Sequence, residues 1–416
     1  MSLRGRTVLV TGGTGFIGGR LVEKLVLDEG CRVRVLVRDF AHAARISPYP
    51  VEMVGGDLRD RASVERAVQG CDVVFHCAYD FVPTLAGQER TGVEGTRNVA
   101  EAALAEGVDR MVHLSTMAVY QPLPPGEVTE ESPWPASQDP YVLVKREAEN
   151  LLDEIHRRQG LPAVILQPTI VYGPFSTFWT LTPLRRLRNP KVRVPLLDGG
   201  ATPCNAVYVD DVADAMLLAA TRPGVEGERF LISAEEPVTW KEFYQGLEAA
   251  AGLQSTVEVP VEEIYRLRRE ERKKRSIVHR IRRGARDPRT WARVSKLPVI
   301  GALAKVLPEA VLSELAKGWL HEEAPPAPRI FLPSDAAIEL ETSRGRVRID
   351  RARERLGYTP RFDLSRGMEV TRRYLEWADL VGPEQPRGRP SAAVTPARPA
   401  PAPGNTSSPA PAALLR

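Results

Sequence analysis

Residues 7–18 read Thr-Val-Leu-Val-Thr-Gly-Gly-Thr-Gly-Phe-Ile-Gly, an apolar run that opens straight into a glycine-rich turn. No other segment narrows the fold as much. The run has the length and composition of a buried strand, and Phe16 to about Leu27 reads as an amphipathic helix. Gly12, Gly15 and Gly18, with Gly13 as an extra, let the chain turn sharply at the strand's end and bring its backbone close to a ligand. The helix that follows aims its free amides, those of Phe16 and Ile17 among them, and its positive dipole end at one point. That combination predicts a dinucleotide site with its pyrophosphate on the helix start.

The rest of the first 170 residues repeats the same rhythm. Candidate strands fall at 7–11, 32–37, 51–54, 72–76, 109–114 and 163–167, and candidate helices at 16–27, 61–69, 90–106 and 139–159. Such alternation predicts right-handed βαβ units, hence an α/β fold with a doubly wound parallel sheet. The expected organisation is a dinucleotide-binding core over 1–170, its sheet completed by parts of 200–235, and a smaller substrate lobe from 171–261 and 329–380. A helical insert (262–328) and a disordered Pro/Ala-rich tail (381–416) complete the division.

Two further elements carry chemistry. Tyr141-Val-Leu-Val-Lys145 places a phenol and an ammonium one helical turn apart, on one face. A phenol titrates near 10. A cation beside it favours the phenolate, so the pair predicts a tyrosine acidic enough for proton transfer at neutral pH. Val112-His113-Leu114-Ser115-Thr116 is an apolar strand ending in two hydroxyls, at the end of a strand where open α/β sheets bind ligands.

Together these elements resemble the extended short-chain dehydrogenase/reductase family, over about residues 5–260 and again 329–378. Further matches are Gly56-Asp57-Leu58, Gly95-Thr96-Arg97-Asn98, Pro168-Thr169-Ile170-Val171-Tyr172-Gly173-Pro174, Val209-Asp210-Asp211-Val212-Ala213 and Leu356-Gly357-Tyr358-Thr359-Pro360. The resemblance implies Tyr141 as general acid/base and Lys145 as its electrostatic partner, also holding the nicotinamide ribose. It implies Thr116 as the hydroxyl on the substrate oxygen, with Ser115 beside it. Asp57 would accept from the adenine amino group, Leu58 and Ala78 would line the cofactor, and Pro168 would bracket the nicotinamide. The chain departs from the family at Gly92, where an Asn is usual, at Gln167, where an Arg is usual, and at Cys77 in the His76-Cys77-Ala78 turn.

Arg38 follows strand two, where a carboxylate would bond the 2′-hydroxyl of NAD and an arginine the 2′-phosphate of NADP. NADP is expected, with Arg45 nearby as a second candidate for the phosphate contact. NAD, with Asp39 reaching in instead, is the alternative. Dehydratases of this family follow the strand hydroxyl with an acidic pair, but Met117 and Ala118 stand here. The diphosphate-binding Asn of many sugar epimerases is replaced by Ile170. The wording around Pro168 resembles the dihydroflavonol-reductase and 3β-hydroxysteroid-dehydrogenase branch, and Phe175, Phe178 and Trp179 could line an apolar pocket. The expected activity is hydride transfer between nicotinamide and a carbonyl or secondary alcohol of a fairly apolar small molecule. A nucleotide-sugar epimerase is the alternative, and a non-catalytic cofactor-binding protein a second one.

Charge is segregated. Residues 262–296 hold 14 Lys/Arg against 5 Asp/Glu, so the net +4 of the chain conceals +9 there and −5 elsewhere. A polycationic stretch followed by an amphipathic helix over Leu297–Leu320 is compatible with contact of 262–325 with an anionic membrane surface, or with a solvated or self-packed lid. Nucleic acid is disfavoured, because no recognised binding module surrounds the cations. A homodimer through the helices at 90–106 and 139–159 is expected by analogy. No apolar run reaches a membrane-spanning length, no signal peptide is evident, and Cys31, Cys71, Cys77 and Cys204 form no metal or disulfide pattern. A cytoplasmic protein without a metal is expected.

Overall fold

Seven parallel strands form the central sheet of the computed structural model, which describes residues 2–82, 84–286 and 327–382. In chain order they are β1 (Thr7–Thr11), β2 (Arg32–Val37), β3 (Val51–Gly55), β4 (Val73–His76), β5 (Arg110–Leu114), β6 (Ala163–Pro168) and β7 (Arg229–Ile232). Their order across the sheet is β7-β6-β5-β4-β1-β2-β3. The order reverses between β1 and β4, which opens a crevice at the carboxyl ends of those strands.

Period-two alternation divides the strand residues between two cores. Val8, Val10, Val33, Val35, Val112 and Leu114 pack on one face with Leu21, Val22 and Leu25 of α1 (Phe16–Leu27) and Val212, Ala215 and Met216 of α7 (Val209–Thr221). Leu9, Val74, Met111, Ala163 and Ile165 pack on the other. There they meet α2 (Arg61–Val68), α4 (Gly95–Glu106) and α5 (Pro140–Gln159) through Val64, Val99, Ala100, Val144, Leu151 and Leu152. Strands buried on both faces read as continuous apolar runs, which is why they stand out in the sequence.

The helix expected from residue 90 begins earlier. α3 (Leu85–Glu89) is capped by the Thr84 side chain and passes through a π-helical turn, Arg90–Glu94, into α4. A π turn adds a residue to the helix and blurs the periodicity from which its start would be read.

Beyond β6 the elements are shorter: α6 (Thr182–Arg188), α8 (Trp240–Ala251), α10 (Asp335–Thr342) and α11 (Leu364–Trp377), with a three-stranded sheet centred on Val192–Leu197. The basic stretch from Glu262 is helical, as part of α9 (Val261–Arg286). Ile264, wholly buried with Leu197, Val259 and Ile338, anchors its start. The helix expected over 297–320 and residues 383–416 of the expected tail lie outside the described residues. No helix among the described residues is long and apolar enough to cross a membrane.

Candidate active site

The glycine turn is closed by its own backbone. The Gly15 amide donates to Gly12 O at 3.0 Å, and Gly12 takes φ +70°, which an L side chain rarely adopts. A Cβ on Gly12 would stand 2.7 Å from Ala78 N, and one on Gly18 2.3 Å from Gly12 O. Gly15 caps α1 without a side-chain bond, so the first amides of the helix, those of Phe16 and Ile17, keep no partner from a capping side chain. A backbone pressed this close, ending in uncapped amides, fits a pyrophosphate.

The residues expected at an adenosine lie past β2 and β3. Arg38 has a 59% exposed side chain and bonds Asp80 Oδ2 at 2.5 Å. Asp39 accepts from Ala41 N at 2.9 Å, so it caps a local turn instead of reaching in. Asp57 accepts from the Arg59 amide and guanidinium, which hold its carboxyl down at about 2. Leu58 is buried, its carbonyl accepting from Asn98 at 2.8 Å, and Ala78 N approaches Thr11 Oγ1 at 3.4 Å. Arg45 is already committed. It bonds Glu23 at 2.9 Å and Phe16 O at 3.0 Å, and its guanidinium lies 4.3 Å from the Phe175 ring centre. The expectation that it binds a 2′-phosphate is therefore corrected, because its donors brace α1.

At the other end of the crevice β5, β6 and the start of α5 meet. Asp139 caps α5 by accepting from Tyr141 N at 2.9 Å, with Pro140 in the first turn, which seats Tyr141 at the helix start. Thr116 follows β5; its hydroxyl accepts from Ala118 N at 3.2 Å and acts on the Tyr141 phenol, favouring the phenolate. Lys145, one turn on, donates to Leu114 O at 2.8 Å and lies 4.9 Å above the Tyr79 ring. Pro168 ends β6, buried. Thr116, Tyr141 and Lys145 are thus brought together. Ser115 is not: its hydroxyl donates to Glu149, wholly buried on α5. Successive strand residues face opposite ways, so only one of the two hydroxyls can turn to the crevice.

The electrostatics reverse one expectation. Burial dominates at Tyr141 and pushes its phenol up to about 12, against Thr116, which lowers it. Burial also pulls Lys145 down to about 8, partly offset by Glu149. The tyrosine is not made acidic here, because desolvation of the phenolate, with Asp139 nearby, outweighs the lowering by Thr116.

Of the aromatic wall around the phenol, sequence reasoning named Phe178 and missed Tyr79 and Phe81, while Phe175 packs on Tyr374 and Trp179 on Trp240. Tyr79 meets Tyr141 edge-on at 5.0 Å, Phe81 lies at 5.3 Å, and Phe178 continues the row 5.0 Å from Phe81. Phe81 and Phe178 are each 57% exposed. The residues following β4 carried the signal as an aromatic pair in Ala-Tyr-Asp-Phe. No group of metal-binding side chains occurs among the described residues.

The profile of the NAD dependent epimerase/dehydratase family matches residues 8–233, more than half of the chain. The chain belongs to this family. Among its relatives is 4-hydroxy-2-methyl-3-oxo-4-farnesyl-3,4-dihydroquinoline-1-oxide ketoreductase of Stigmatella aurantiaca, 32% identical over 60% of this chain and 74% of the relative. Another is 2-alkyl-3-oxoalkanoate reductase of Stenotrophomonas maltophilia, 32% identical over 59% of this chain and 76% of the relative. The chain matches 3beta-hydroxysteroid-dehydrogenase/decarboxylase isoform 2 of Arabidopsis thaliana at 30% identity, spanning about half (47%) of that protein. UDP-glucose 4-epimerase of Thermotoga maritima, solved with UDP-glucose, superimposes over 89% of this chain and 99% of its own at a TM-score of 0.61. At 22% identity that likeness shows the fold.

Proposed function

We propose that this family member is an NAD(P)-dependent oxidoreductase that transfers a hydride between nicotinamide and the carbonyl or secondary alcohol of an apolar small molecule, with NADP preferred. The observation that carries the reading is the setting of Tyr141, one helical turn before Lys145, with its ring against the exposed Phe81, from which Phe178 continues the row. An oxygen held by Thr116 and Tyr141 would have its carbon skeleton against aromatic rings, which favour apolar surface. Ile170, buried, offers no polar group to a diphosphate. The ketone-reducing relatives support the same reading.

The residues that would hold the cofactor are Gly12, Gly15, Phe16, Ile17 and Gly18 at the pyrophosphate, Arg38, Asp57 and Leu58 at the adenosine, and Ala78, Tyr141, Lys145 and Pro168 at the nicotinamide end. When bound, the nicotinamide supplies the hydride. Thr116 positions the substrate oxygen, and Tyr141, protonated across the neutral range, donates the proton to it. Lys145 places a positive charge near the tyrosine oxygen as the proton leaves. Ser115 serves the scaffold. The exposed Arg38, with Asp39 turned away, supports NADP.

The cationic helix α9 supports contact of 262–325 with an anionic membrane surface, and Leu143, exposed on α5, supports pairing of α4 and α5 with a second copy. Sedimentation with anionic vesicles at low and high salt and the solution mass test these two parts. The activity is tested by incubating the protein with NADPH and either apolar ketones or UDP-sugars. Cofactor consumption matched by alcohol, with a KM raised by Phe81→Ala or Phe178→Ala, is expected. Sugar epimers forming with no net cofactor use would place the chain with the epimerases. Dinucleotide binding without turnover of any substrate, with cellular function unchanged by Tyr141→Phe, would make it a binding protein.

A further inference from the structure

Glu149 lies one helical turn beyond Lys145 and is wholly buried. Each of its partners is a donor. The Ser115 hydroxyl and both approaches of Gln167 Nε2, at 3.0 and 2.9 Å, point at its oxygens, and Arg229 Nη1 of β7 stands 3.4 Å away. Burial pushes this carboxyl up, and the Ser115 hydroxyl, the Gln167 amide and the Arg229 guanidinium pull it back toward the carboxylate. Gln167 is itself held by the Tyr120 hydroxyl at 3.0 Å, and Arg229 by Asp153. The neutral amide at 167, where the family usually has an arginine, grips the carboxylate without cancelling its charge.

The surroundings of Lys145 need that charge. From β4, His76 and Cys77 face it, and from β5, His113, whose two ring nitrogens have no partner. Burial holds both imidazoles neutral and the thiol protonated, so none balances an ammonium. On α5 itself, Arg146 adds another cation near Glu149 and Asp153 another carboxylate.

We propose that Glu149 is a positioning residue for the reaction, acting through Lys145: clamped by Ser115, Gln167 and Arg229, its buried carboxylate keeps that ammonium charged one turn from Tyr141. The proposal rests on the Tyr141–Lys145 reading of the site. It also gives Ser115 a function, as a donor that holds the carboxylate and not the substrate.

Two variants separate charge from hydrogen bonding. Glu149→Gln keeps the shape and removes the charge, while Ser115→Ala removes one donor and keeps the charge. Lysine side-chain NMR titration of the cofactor-free protein, with the Lys145 resonance assigned by its loss in Lys145→Arg, reads the ammonium directly. The Lys145 midpoint, near about 8 in the parent, is expected to fall by about one pH unit in Glu149→Gln and to stay in place in Ser115→Ala. The alkaline limb of kcat/KM follows the same shifts, and Glu149→Asp restores the midpoint even where its Tm is lower. A midpoint unchanged in Glu149→Gln overturns the proposal. Should that variant not fold, Gln167→Leu strips the one amide that bonds both carboxyl oxygens, where Ser115 bonds a single one, and is expected to lower the midpoint too; no change there is equally fatal. If Tyr141→Phe turns over like the parent, the reading of the site fails, while the NMR midpoints still decide whether Glu149 charges Lys145.

Discussion

Replacing Lys145 with methionine is expected to stabilise the protein while removing its activity. The Lys145 side chain is 6% exposed, and burial pulls its ammonium from 10.5 to about 8. Holding the charge inside the fold costs roughly 3 kcal/mol below pH 8. Methionine keeps a flexible apolar stem of similar length. It gives up the bond to Leu114 O and the contact with the Tyr79 ring, together worth about 2 kcal/mol. The net expectation is a gain of about 1 kcal/mol near neutral pH. The sign in pH follows from the folded pKa lying below the unfolded one. From about 8 to 10.5 the unfolded chain holds more protons, so the parent gains stability as pH rises and the variant's advantage fades. Urea unfolding of both proteins at neutral and alkaline pH, followed by circular dichroism, measures this. A variant about 1 kcal/mol or more less stable than the parent at neutral pH would refute the reasoning, since the surrounding groups would then compensate the ammonium in full.

Three other outcomes are expected. Gly18→Ala puts a Cβ 2.3 Å from Gly12 O, so the turn must shift and dinucleotide affinity should drop about tenfold or more by calorimetry; unchanged affinity would contradict the cradle. Arg38→Ala should raise KM for NADPH about tenfold and leave that for NADH in place, since only one cofactor carries the phosphate; equal effects on both would remove Arg38 from cofactor choice. With the phenol pushed up to about 12, ketone reduction should hold level from acid to neutral pH and alcohol oxidation should accelerate toward alkaline pH. Oxidation fastest in acid would exclude Tyr141 as the base.

The parallel sheet and the glycine turn were legible because both depend on local rules. Buried parallel strands read as unbroken apolar runs, and Gly12 and Gly18 stand where any Cβ would strike backbone. The placement of Tyr141 and Lys145 on one face of α5 was legible through helical spacing, and Thr116 through its position after a strand end. Side-chain direction was not. Ser115 and Thr116 are neighbours in sequence, yet only the fold shows Ser115 turned to Glu149 and Arg45 turned to Glu23 and Phe16 O. The balance at Tyr141 was illegible for a different reason. Spacing shows that a cation is near, whereas the opposing desolvation depends on packing from Tyr79 and Phe81, distant in sequence. The partners of Glu149 come from the end of β5 and from β6 and β7, Ser115 lying just past β5, and no local pattern joins them.

The central claim, that this site passes a hydride to an apolar carbonyl while Tyr141 supplies the proton, is tested most directly by isotope transfer. The protein and its Tyr141→Phe variant are incubated with an apolar ketone and NADPH bearing deuterium at the transferable position, and the product is read by mass spectrometry. Deuterium on the carbinol carbon in the parent, at a rate cut about a thousandfold in the variant, is the predicted result. Label retained in the cofactor, or transfer by the variant at the parent's rate, would contradict the account.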